Sequence, residues 1–193
     1  MNSPSTTKLA PPGAGLPWIE LIAARMLFAA FRRMHTRGEI TALFIEERDR
    51  VLGLAASLGP VNAARTVLIK RLRGMEDSSR NWSVYMTLEH LRIVNASVAG
   101  VINALAAGKV PPGVASTATV KPAPGIDGQV VESFTAGCEA LRQTVAMVPD
   151  LRSEKRYPHP WFGPLDAAGW HAMSAFHLRL HRRQIESIIA ALD

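Results

Sequence analysis

His177 and His181 stand four residues apart in GWHAMSAFHLRLHRRQI, residues 169–185. On an α-helix that spacing stacks two imidazoles about 40° apart around the axis, with Cβ atoms roughly 6 Å apart. Two neutral imidazoles so placed can share one metal ion; the alternative is a helix that carries two partly exposed histidines. A third histidine, His90, lies far upstream in WSVYMTLEHLRIV, residues 82–94. One imidazole on an early helix and an i, i+4 pair on a late one form the donor set of an open metal site. Spacing alone leaves undecided whether the two helices face each other.

Both segments have strong helical patterns. Asp166 is a favourable N-cap for the late helix, because its carboxylate accepts first-turn N–H groups and suits the positive end of the helix dipole. Trp170, Met173, His177, Leu180, Gln184 and Ile188 then recur at three- and four-residue steps as one inward face. His171 lies about 240° from His177 around the same helix and is expected on the surface. Ser83 caps the early helix, and Leu91, Val94, Val98, Val101, Ile102 and Leu105 form its apolar stripe, with His90 at the edge.

WSVYMTLEHL, followed by HPWFGPLDAAGWHAMSAFHLRLHRRQI, resembles the DinB-like (DinB/YfiT) superfamily of metal-dependent proteins. The resemblance implies an all-α four-helix bundle with a mononuclear site, built from one histidine on the second helix and an H-x-x-x-H pair on the fourth. His90, His177 and His181 fall on those places. It also implies thiol-dependent transfer or isomerisation with a low-molecular-weight thiol as the first chemistry, and hydrolysis as the second. The chain departs from the pattern at the start of the last helix, where Asp166 and Gly169 replace an expected Thr-and-Glu or Thr-and-Gln capping box.

The rest of the chain supplies the scaffold. Residues 1–15 lack apolar periodicity, contain helix breakers and read as a mobile tail; residues 16–193 read as a single bundle domain. Leu16–Met34 is apolar on most sides, but Glu20 and Arg25 argue against a bilayer span, since burying each charge costs about 2.5–3.5 kcal/mol on insertion scales. It lacks the basic start and cleavage site of a signal peptide. It is expected to be an additional helix packed on the bundle and contributing to a homodimer, with interfacial membrane contact the lesser reading.

Bundle helices are expected near residues 40–58, 83–107, 129–148 and 166–192. Leu43, Phe44, Val51, Leu54 and Leu58 line the first, and Val130, Phe134, Gly137, Leu141, Val145 and Val148 the third. Residues 61–82 read as a connection with a short helical piece near Ala63–Leu72. Gly108–Gly128, with four prolines, reads as a long crossover between two helices that point the same way. No alternating strand pattern stands out.

Composition narrows the function. The chain has 193 residues, 48% of them hydrophobic and 20% charged, with a formal net charge of +6. That describes a globular domain with a solvated basic surface; the arginines are scattered and no nucleic-acid motif appears. The single cysteine, Cys138, forbids an internal disulfide, fits a reducing cytoplasm and reads as a small core residue. Lys70, Arg71 and Arg73 are either a solvated turn or an anchor for a substrate carboxylate, and His159 is either structural or lines the site. Three neutral histidines suit one divalent transition metal, Zn, Ni, Fe, Co or Mn, with open positions for water or a small-molecule substrate. A binding or sensor module on the same fold is the alternative to an enzyme.

Overall fold

The computed structural model describes residues 8–192. The chain runs α1 (Trp18–Met34), α2 (Arg37–Ala56), α3 (Pro60–Ala64), β1 (Val67–Leu68), a 3-10 turn at Asp77–Ser79 and β2 (Asn81–Trp82). It continues through α4 (Val84–Ala106), α5 (Val130–Met147), β3 (Tyr157–His159), β4 (Gly163–Leu165) and α6 (Ala167–Ala190). Helices α2, α4, α5 and α6 pack in a ring, α2 on α6, α6 on α4, α4 on α5 and α5 on α2. The expected all-α four-helix bundle with an additional N-terminal helix is what forms.

Cross-helix contacts fix the directions. Tyr85 lies against Gly128, Arg92 against Gly137 and Asn95 against Cys138, so α4 and α5 run parallel. Thr41 meets His171 and Glu47 meets Arg182, so α2 and α6 also run parallel. Trp82 stacks near His181 while His90 meets His177, which makes α4 and α6 antiparallel. The order is up-down-down-up. Two successive parallel helices need a connection that returns the length of the bundle, and residues 107–129 are that crossover.

The bundle closes on fully buried Leu88, Leu91, Ile102, Phe134, Leu141, Leu178 and Ile185. Removing each such side chain from water contributes about 1.5–3 kcal/mol. Cys138 is buried among them, where it accepts from Asn95 Nδ2 at 3.3 Å. Burial pushes its thiol up to about 12, the behaviour of an inert core residue.

Several local expectations are corrected. The first bundle helix begins at Arg37, because Thr36 and Glu39 form a full capping box ahead of it. The short helix of the following connection is Pro60–Ala64, and Val67–Leu68 instead pairs antiparallel with Asn81–Trp82. A second small ladder joins Tyr157–His159 to Gly163–Leu165 and braces the entry to α6. Strands of two and three residues are too short to leave an alternating pattern in the sequence.

Of the segment read as a tail, residues 1–7 lie outside the described residues. Beyond them, the Ala10 N–H donates to Asp77 Oδ2 at 2.8 Å and the Gly13 N–H to Glu76 Oε2 at 3.3 Å. Helix α1 packs on α6 and the β3–β4 hairpin through Phe28, which stacks on Phe162 at 4.2 Å and meets the edge of Phe176 at 5.6 Å. Arg25 Nε donates to the Trp161 carbonyl at 2.6 Å, Arg71 pairs with Glu20 at 2.5 Å, and Arg32 pairs with Asp166 at 2.7 Å. Trp18, Ile19, Ile22 and Met26 remain exposed. Among the described residues no helix is long and apolar enough to cross a membrane.

Arg32 also accounts for the departure at the start of α6. The Asp166 carboxylate accepts from the Gly169 N–H at 2.8 Å as an ordinary N-cap. A Cβ on Gly169 would meet the Arg32 guanidinium carbon, Asp166 Oδ1 and Leu165 Cβ, each at 3.0 Å. The guanidinium of α1 therefore occupies the space that a capping-box side chain would need.

Since α1 is fastened mainly by Phe28 and two ion pairs, Phe28→Ala should release it while leaving the bundle folded. Limited proteolysis within residues 18–34 should accelerate by at least tenfold, with far-ultraviolet helix signal nearly unchanged; a large fall in helix signal in the same variant would show that α1 is integral to the core.

Candidate metal centre

His90, His177 and His181 converge between antiparallel α4 and α6, and one ligand nitrogen from each lies within 4.8 Å of the others. His90 Nε2 is 3.1 Å from His177 Nε2. Ring centroids are separated by 5.0 Å for His90–His177, 4.6 Å for His90–His181 and 4.3 Å for His177–His181. His90 is 5% exposed and His181 4%, while His177 is half-buried and opens to the cavity described below.

Two of the rings are fixed from behind. His90 Nδ1–H donates to the Val120 carbonyl at 2.7 Å, which leaves Nε2 as the unprotonated donor atom. His181 Nδ1–H donates to Gln184 Oε1 at 2.6 Å, and Gln184 Nε2 donates in turn to the Ser79 carbonyl at 2.7 Å. This is the outer-shell arrangement that orients metal-binding imidazoles and selects their tautomer. With the Nδ1 proton of His90 committed to Val120, the metal-free contact between Nε2 atoms has His177 donating to His90. Trp82 covers the cluster, 5.1 Å from the His90 ring and 6.3 Å from that of His181. Lys121 lies over Trp82 and is held by Glu76 at 2.9 Å and by the Ser79 hydroxyl at 2.8 Å.

Burial holds all three imidazoles neutral. It pushes His90 down to about 4, and burial together with the neighbouring histidines places His177 and His181 well below the usual range. Neutral imidazole is the form that ligates. At about 2.1 Å per bond, two nitrogens on one ion lie no more than about 4.2 Å apart, so a small rotation of one ring closes the set. The residues fit a divalent transition ion.

The remaining candidates separate. His171 is 3% exposed, contrary to its expected surface position. Helix α6 packs on α4 on one side and α2 on the other, so its buried arc extends round to His171, whose Nε2 lies 3.2 Å from Thr41 Oγ1. His159 serves both of its proposed roles. Its Nδ1 accepts from the Trp161 N–H at 3.1 Å and its ring stacks on Phe162 at 4.8 Å, while it also lines the cavity. Arg71 is consumed by Glu20 and the Met75 carbonyl, Lys70 is exposed away from the cavity, and Arg73 lines it.

Gln184 and the Val120 carbonyl are the functional groups that the sequence left unassigned. A polar residue on an otherwise apolar stripe, three positions after His181, was the available signal for Gln184. No side-chain pattern marks a carbonyl in a crossover loop.

The cluster opens onto a cavity of about 1370 Å³ bounded by α1, α4, α6, the crossover and the β3–β4 hairpin. Its walls mix aromatic and aliphatic side chains with several arginines.

Replacing His90, His177 or His181 by Ala should abolish stoichiometric metal, and Gln184→Leu should weaken affinity by about 10–100-fold. His171→Asn should leave stoichiometry unchanged. These outcomes are read by metal analysis after dialysis. Proton competition should set in below pH 6.5, nearer the depressed value of about 4 for His90, instead of near the free-histidine value.

A second prediction concerns stability without metal. His90, His159 and His171 are each pushed from 6.5 to about 4 by burial. Between those limits the unfolded chain takes up protons that the folded chain refuses, so stability is full above pH 6.5 and lost as pH falls toward 4. Each group contributes a slope of about 1.4 kcal/mol per pH unit. His171→Asn should reduce the slope measured by denaturant titration by that amount; an unchanged slope would refute its burial as a neutral group.

No curated protein is similar enough to the chain to match it. The crystal structure of TT2238, titled a four-helix bundle protein, is similar over 78% of this chain and 98% of that one, at 22% identity and a TM-score of 0.56. That likeness concerns the fold. The model of the DinB superfamily matches residues 76–185, more than half of the chain, and the matched span holds all three clustered histidines. Family match, bundle and histidine placement agree, and the chain belongs to the DinB superfamily.

Proposed function

We propose that this chain is a metal-dependent enzyme that acts on a small molecule with the help of a low-molecular-weight thiol. His90, His177 and His181 would hold one divalent transition ion. The observation that carries the reading is the opening of the three-histidine cluster onto the cavity of about 1370 Å³. A buried structural metal would need no such opening. Once bound, an ion with three neutral ligands supplies Lewis acidity, able to hold a thiol as its thiolate or to polarise an oxygen.

The protein's own groups prepare that chemistry. Val120 and Gln184 fix two rings in the ligating tautomer, and Trp82 keeps water from their far side. His177, the half-buried member, borders the space where a substrate would enter. The superfamily resemblance favours a thiol over water as the activated group. The alternative is a binding or sensor module that shares metal and cavity and differs only in lacking turnover. The exposed apolar side chains of α1 favour a homodimer that covers them.

The test uses untagged protein. About one equivalent of metal is expected, followed by saturable binding of a thiol to the cobalt-substituted protein, seen as a sulfur-to-metal charge-transfer band. Turnover of an electrophile with that thiol should then fall at least 100-fold in His177→Ala. Thiol binding without turnover across a broad panel would select the sensor reading, and absence of metal would refute both.

A further inference from the structure

The cavity beside the histidines has two chemically different ends. Because α4 and α6 run antiparallel, the early turns of α4 and the late turns of α6 lie together at one end, with residues 71–79 of the connecting segment. There Arg73, Arg179 and Arg183 line the cavity. Arg73 and Arg183 have no ion pair among the described residues, and Arg179 reaches Glu47 only at 3.9 Å. The neighbouring Arg71, Lys121 and Arg182 are already neutralised by Glu20, Glu76 and Glu47. Six cationic side chains against three carboxylates, Glu20, Glu76 and Glu186, line the whole cavity, so the end that holds them carries surplus positive charge.

The other end is apolar. Beyond His90 the wall of α4 continues through Val94, Val98 and Val101, faced by Leu27 and Phe31 of α1 and by Val114 of the crossover. From His90 to Val101 is eleven helical positions, about 16 Å along the axis. An extended chain advances about 1.2 Å per bond, so this trough accepts an alkyl chain of ten carbons or more. The histidine cluster sits between the arginines and the trough.

We infer that the cavity binds an amphipathic anion, with its carboxylate or phosphate head at Arg73, Arg179 and Arg183 and its apolar chain along Val94, Val98 and Val101. This rests on the proposed function only in making that molecule the enzyme's substrate; the binding itself needs no metal. The charge surplus selects the head, and the area of apolar wall removed from water on binding favours the chain. The placement sets the middle of the molecule, and neither end, beside the three histidines. Reaction at an internal functional group is the regiochemistry that follows.

The inference is tested by calorimetric titration of the full chain, as purified, with decanoate, decyl phosphate and 1-decanol, each below its aggregation concentration. Both anions should bind saturably, at least tenfold more tightly than the alcohol. Preference between carboxylate and phosphate identifies the head. Arg73 and Arg183 are exposed, so the double variant Arg73→Ala, Arg183→Ala should fold, and it should weaken the anions about tenfold while leaving 1-decanol unchanged. Ser97→Glu, at an exposed position on the wall of the trough, should weaken all three. His177→Ala should keep decanoate affinity within about threefold. Equal affinity for anion and alcohol, or no saturable binding of any probe, would overturn the inference. So would loss of decanoate binding in His177→Ala with the arginine variant unaffected, since the head would then be held at the histidines. Because the His177→Ala arm lacks the metal ligand, failure of the metal reading and failure of this one give different results.

Discussion

Burying three neutral imidazoles between two antiparallel helices is the constraint on which the rest of this structure depends. An imidazole taken out of water keeps its hydrogen-bonding demands, and each unmet one costs about 1–3 kcal/mol. Two of the three rings depend on distant segments to meet theirs: His90 directly on a crossover carbonyl at Val120, and His181 through Gln184 of its own helix, which is tied to the Ser79 carbonyl. The crossover, the segment before α4 and the last helix must therefore be in register before the cluster forms. The free nitrogens are then left facing one another, close enough to share an ion. Repulsion between protonated rings and the loss of hydration both oppose charging them, so the site is poised for a cation other than a proton.

The crossover's role follows from topology. Parallel α4 and α5 require a return path along the bundle, and residues 107–129 use that path to wall the cavity and to place Val120 behind His90. Thr117 and Lys121 fasten the same segment to buried Glu76, which also accepts from the Gly13 N–H. A connection forced by helix direction has thereby become part of the site. Helix α1 completes the enclosure from the opposite side, held by Phe28, Glu20 and Arg32, and its arrival explains why glycine stands at position 169.

Much of this was legible in the residues. Period-3.6 patterning located the four bundle helices to within a few positions, and the i, i+4 pair with His90 marked the cluster. His171 was misplaced because a helical wheel assumes one buried face, whereas α6 packs against two neighbours. The capping box at Thr36 and Glu39 is a local signal written in the residues, and it sets the helix start three positions ahead of the apolar run. The two short ladders and the Val120 carbonyl had no local signature, since each is defined by what a distant segment presents. The basic cluster divided in a way that composition could not anticipate: Arg71 is neutralised by Glu20, a partner fifty-one positions away, while Arg73 lines the cavity with no ion pair among the described residues.

The central claim is that His90, His177 and His181 hold a single ion through their Nε2 atoms. A crystal structure of metal-loaded protein, with anomalous diffraction measured on both sides of the metal's absorption edge, tests it most directly. The account predicts one edge-specific peak between α4 and α6, about 2.0–2.1 Å from each of the three Nε2 atoms. A peak ligated elsewhere, or none between those helices in fully loaded protein, would contradict it.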